Sequence, residues 1–141
     1  MAKKKSVVLV PVLSKLENNP SFLERVTAEA DEVVVLAVID QSGIVGNPGF
    51  AIHEIKVATQ LAEEIAALVV ASGKKSEAIV EWGETVRLIA QLAELKSCSA
   101  IFLVEQKNQY YQKLREQIRE KTACPLVEVK VFSPSVVSFK A

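Results

Sequence analysis

"SEAIVEWGETVRLIAQLAELKSCSAIFLVE", residues 76–105, holds a strand, a turn, a helix and a second strand in one continuous stretch. "SEAIVEW" (76–82) reads as a strand. Gly83 makes the turn. In "ETVRLIAQLAELKS", Val86, Ile89, Leu92 and Ala93 recur at helical spacing and fall on one face. "SAIFLVE" (99–105) is again a strand. Strand, helical crossover and strand form a βαβ unit, whose two strands run parallel.

Outward from this unit the alternation continues on both sides. "SVVLVPVL" (6–13) and "DEVVVLAVID" (31–40) are nearly unbroken apolar, β-branched runs, the signature of parallel strands covered on both faces. Between them Asn19 is a good N-cap and Pro20 a good first helical residue. Phe22, Val26 and Ala30 then mark a short helix. "QSGIVGNPGF" (41–50) is a glycine-rich loop, and a long helix is expected from about Ala51 to Ser72. Its apolar face is Ile52, Ile55, Ala58, Leu61, Ala62, Ile65, Leu68 and Val69, and Gly73 is placed to end it. Beyond residue 105, Asn108 is placed to cap a fourth helix on which Tyr111, Leu114 and Ile118 share a face. The other face carries Lys113, Arg115, Glu116, Arg119 and Glu120 and is expected to meet solvent. "CPLVEVKVF" (124–132) is the fifth strand, with Pro125 tolerable at its start or on an edge. Strict alternation of strand and helix predicts one α/β domain over residues 1–141, a three-layer α/β/α stack about a parallel sheet.

Bulk properties exclude several classes. With 17 basic and 17 acidic residues among 141, there is no electrostatic case for nucleic acid or an anionic membrane surface. The Lys3-Lys4-Lys5 run reads as a solvated tail. No apolar stretch reaches the roughly 18–20 residues that span a bilayer, and "SVVLVPVL" is short for a signal segment. A cytoplasmic protein is expected. Two cysteines are too few for a disulfide scaffold.

Over residues 5–132 the chain resembles the universal stress protein family. "VVLVPV" resembles that family's opening strand, "VEWGETVRLIAQLAELKSCSAIFLVE" its third-strand-to-fourth-strand unit, and "ACPLVEVKV" its last strand. The resemblance implies a Rossmann-like sheet of order 3-2-1-4-5, a frequent homodimer built on the fifth strand, and in many members ATP at the carboxyl ends of strands one, two and four. Ligands of open α/β sheets sit at such a switch point. ATP-binding members carry G-x-x-G, nine residues, then G-[ST] after the fourth strand, because glycines let backbone N–H groups approach phosphates.

Here that segment reads "EQKNQYYQKLREQIREKTACP" and none of those glycines is present. The Asp that those members carry just after "PV" is replaced by Leu13. ATP is therefore not expected as a cofactor. If a small ligand binds, the pocket is expected from the first-strand exit (Leu13, Ser14, Lys15), the second-strand exit (Val38, Asp40) and the fourth-strand exit (Gln106, Lys107, Asn108). Lys15 and Lys107 would offer point charges to an anion. Gly43, Gly46 and Gly49 read first as a turn-rich connection and second as a ligand-contacting loop.

No catalytic constellation is visible, and no enzyme is expected. His53 is the sole histidine, with Glu54 beside it, and lacks the second ligand a metal site needs. Cys98 and Cys124 each precede a strand, and on neighbouring strands they fall at the edge opposite the ligand face, as ordinary buried thiols or a redox pair. Trp82 is expected to pack. The tail "SPSVVSFKA" (133–141) carries Val136, Val137 and Phe139. A homodimer through strand 124–132 and tail 133–139 is expected, against a tail folded back on its own subunit or unstructured.

Overall fold

A computed structural model describes residues 6–13, 15–39 and 48–131, the side chains of residues 15 and 48–54 excepted. The order along the chain is β1 (Val7–Val12), a 3-10 turn (Lys15–Glu17), α1 (Pro20–Glu29), β2 (Glu32–Ile39), α2 (Pro48–Ala71), β3 (Lys75–Trp82), α3 (Thr85–Leu95), β4 (Ala100–Val104), α4 (Gln109–Lys121) and β5 (Leu126–Val129). The strands form one parallel sheet of order β3-β2-β1-β4-β5, as expected.

Two apolar layers flank the sheet, and the pleat decides which residue enters which. Val8, Val10, Val33 and Val35 pack with Phe22, Val26, Ala62, Ile65 and Val69 under α1 and α2. Leu9, Val34, Leu36, Ile101 and Leu103 pack with Ile89, Tyr111, Leu114 and Ile118 under α3 and α4. Alternate residues of the same strands feed opposite layers, so β1, β4 and β2 from Val33 onward are apolar throughout.

Local chemistry sets the boundaries. Asn19 caps α1, its Oδ1 accepting from the Ser21 and Phe22 amides at 2.9 and 3.2 Å. Asn108 caps α4, accepting from the Tyr111 amide at 2.7 Å. Gly73 ends α2 at φ +97° and Gly83 turns the chain at φ +147°, in the half of backbone space that glycine enters at low cost.

Several expectations need correction. The long helix starts at Pro48, before Ala51, so Gly49 belongs to its first turn and not to the loop. Proline's fixed φ and missing donor suit a first turn whose amides have no helical partner. Leu68 is not inward; it lies beside Leu23 and Thr27 of α1. The fifth strand is only Leu126–Val129: Pro125 contributes its carbonyl to Ile101 N at 2.8 Å but has no N–H to extend the ladder. Trp82 ends β3 as expected but is 43% exposed. The polar face of α4 is not wholly solvated, because Arg115 and Arg119 turn to Glu128 of β5 at 3.2 and 3.7 Å. Residues 41–47, the His53 side chain and tail 133–139 lie outside the described residues.

Candidate functional site at the carboxyl ends of the strands

In order β3-β2-β1-β4-β5 the connections from β1 and from β4 leave in opposite directions, which opens a crevice at their carboxyl ends. A cavity of about 200 Å³ lies there, lined by residues 11–13, Leu36, Val38, Thr85, Ile89 and Tyr110. Of the expected positions, Leu13 and Val38 therefore meet in one cavity. Gln106, Lys107 and Asn108 form the β4–α4 turn beside it. They do not line the cavity; Tyr110 reaches it instead. Ser14, Asp40 and the Lys15 side chain lie outside the described residues.

The turn after β4 is built from side chains. Asn108 Oδ1 holds the Tyr111 amide, and its Nδ2 lies 3.4 Å from Gln106 Oε1. A helix N-terminus attracts anions through amides that lack helical partners. Here one of those amides already has an acceptor. Tyr110, 67% exposed, stands over the cavity from the first turn of α4. The volume is below the roughly 300–1,000 Å³ of ordinary ligand pockets. Lys107 is exposed, so a point charge is available at the rim.

Sequence reasoning missed Tyr110, Thr85 and Glu17 here. Tyr110 and Thr85 face the cavity because α4 and α3 start there, and the sequence gives helix starts without their tilt. Glu17 is fully buried in the 3-10 turn, which touches β1 and β4. A short polar run after a strand gave no signal for burial.

At the opposite ends of the strands the two thiols meet as expected. Cys124 Sγ–H points to the Cys98 carbonyl at 3.4 Å. Burial, then the neighbouring Cys124, pushes the Cys98 thiol up to about 11, and burial also raises Cys124. Both stay protonated near neutral pH, which disfavours nucleophilic or redox chemistry. Among the described residues no cluster of His, Cys, Asp and Glu is able to hold a metal ion, and no helix is long and apolar enough to cross a membrane.

No family model and no curated protein matches the sequence. Solved structures do match in fold. A universal stress protein from Archaeoglobus fulgidus superposes with TM-score 0.72 at 16% identity, over 89% of this chain and 98% of the other. A universal stress protein family member from Burkholderia pseudomallei gives 0.67 at 14%, over 89% and 96%. A family protein from Arabidopsis thaliana, with AMP bound, gives 0.60 at 14%, over 91% and 93%. The fold is that of universal stress protein structures over about nine tenths of the chain.

Proposed function

We propose that this chain is a cytoplasmic, non-enzymatic stress-response protein of the universal stress protein type that acts through protein partners without ATP. The observation that carries this is the β4–α4 turn, where Asn108 occupies a helix N-terminal amide and Tyr110 covers the cavity. A triphosphate needs backbone amides free to approach it closely. This turn offers them side chains instead. The unit is a homodimer joined through the edge of β5 and tail 133–139; the position of β5 at a sheet edge supports the first half of that reading.

A second reading has one observation in its favour. The cavity sits where strands end at the switch point, and the Arabidopsis relative of the same fold carries AMP. A mononucleotide with its base in the cavity and its phosphate near Lys107 would need no glycine cradle.

Calorimetric titration with Mg-ATP and with AMP separates the two. No heat with either at millimolar ligand is the expected result. Micromolar AMP binding that Lys107→Ala weakens would establish the second reading, and micromolar Mg-ATP binding would defeat the first. Truncation after residue 132 is expected to weaken the dimer; an unchanged sedimentation profile would remove the tail from the interface.

A further inference from the structure

The sheet has a second edge, opposite β5. β3 is the outermost strand on its side and, at 8 residues, twice the length of β5 at 4. Its outer backbone groups can be identified. The amides of Lys75 and Gly83 donate inward to Asp31 and Ile39 of the β2 side. Backbone direction alternates along a strand, so Ser76, Ala78 and Val80 turn their N–H and C=O groups outward. Such a row is a template for another strand unless charge or cover blocks it.

The flanks of this edge are apolar. Next to it, on one face, a groove of about 380 Å³ runs between the sheet and α3, lined by Leu36, Glu81, Leu88, Gln91, Leu92 and Leu95. Leu95 is 78% exposed. On the other face Val70 of α2, also exposed, lies away from the α1 side that Leu68 occupies, because two residues turn a helix about 200°. Trp82 stands at the carboxyl end of the strand on that same face.

The charges on the strand decide what fits. A twofold axis normal to the sheet keeps every side chain on its own face, so residues of like parity come opposite one another. Two antiparallel registers then overlap most of β3. In the one centred on Ile79, Glu77 opposes Glu81 of the second copy twice, and like charges directly opposite destabilise. In the one centred on Ala78, Lys75 opposes Glu81 twice, Ser76 opposes Val80, and Lys74 opposes Trp82. The outward groups of Ser76, Ala78 and Val80 then meet their own counterparts. Lys75 and Glu81 fall in the narrow, non-hydrogen-bonded pairs, roughly 4.5 Å apart at Cα. Glu77 keeps Lys96, bonded at 2.8 Å, and faces Ile79 of the second copy. Charges that merely guard an edge need no such symmetry about one residue.

We infer that β3 is a self-association edge: a second copy of this chain adds antiparallel to it in the register centred on Ala78, held by reciprocal Lys75–Glu81 pairs. The contact is isologous and lies across the sheet from β5. With both edges engaged, copies join alternately into an open row. With β3 alone, they form a dimer.

Sedimentation of the full chain over a wide concentration range tests this with four samples besides the wild type. Lys75→Glu and Glu81→Lys are each expected to weaken association at this edge about tenfold or more, since two attractive pairs become repulsive. The double variant Lys75→Glu/Glu81→Lys is expected to recover it. An equimolar mixture of the two single variants is expected to recover it too, because one copy is acidic where the other is basic. Both positions are exposed, and recovery shows that the variants are folded. Unchanged mass in the single variants, or a loss that neither the double variant nor the mixture restores, overturns the inference. Neither result bears on tail 133–139, whose truncation is read separately.

Discussion

Asn108 does two jobs with one side chain. Its carboxamide oxygen satisfies the Tyr111 amide, and by doing so withdraws a donor from anything bound at the end of β4. An N-cap contributes about 1 kcal/mol relative to alanine, and aspartate caps as well as asparagine. Asn108→Ala is therefore expected to lower stability by about 1 kcal/mol in denaturant titration, whereas Asn108→Asp leaves it nearly unchanged. Equal losses in both would mean that the cap does not hold α4. Asn19, at the start of α1, performs the same local task and is nine-tenths buried while doing it. Both caps were legible in the sequence, because an Asn before a run of helical periodicity carries its own mechanism. Leu13 and Val38 were legible as pocket residues for a similar reason: they sit at strand exits. Tyr110 was not, because its position depends on how α4 leans over the crevice.

Between elements, the α4–β5 contact is held by a polar cluster. Glu128 Oε2 accepts from the buried Tyr111 hydroxyl at 2.7 Å and from Arg115 Nη1 at 3.2 Å. Burial raises the Glu128 carboxyl, but these two hydrogen bonds and the Arg115 and Arg119 charges outweigh it and hold it below its ordinary 4.5. A carboxyl depressed in the folded state stabilises above its unfolded value, and that contribution fades as pH falls through the folded one. Glu128→Gln is expected to cost about 1 kcal/mol at neutral pH, the scale of a partly screened charge-assisted bond. The gap between wild type and variant should close below about pH 4.5 in thermal melts taken across pH. A gap that persists undiminished at pH 3 would show that the charge is not the cause. The sequence pattern expected this helix face to meet solvent, since periodicity marks which residues are polar and not which polar residue waits on a strand nearby. The same limit applies to β5, read as nine residues from its composition and found to be four.

At the scale of the molecule, one parallel sheet covered on both faces was within reach of the sequence because strand and helix alternate strictly, whereas the strand order was implied only by the family resemblance. The sheet has unequal edges: a short one whose inward carboxylate is tied to α4, and a long one with apolar flanks. Its centre has a further consequence. β1, the first of the described strands, pairs with β2 on one side and with β4 on the other. Synthesis on the ribosome proceeds from that end. The most central strand is thus made first, and its second neighbour, Ala100–Val104, emerges some ninety residues later. Until then half of the α3–α4 layer, including Ile101 and Leu103, is missing beneath Leu9. A nascent chain ending at residue 96 is expected to remain sensitive to protease, and one extended past residue 129 to become resistant once clear of the exit tunnel. Resistance in the shorter chain would mean that β1, β2 and β3 close a stable core without the rest.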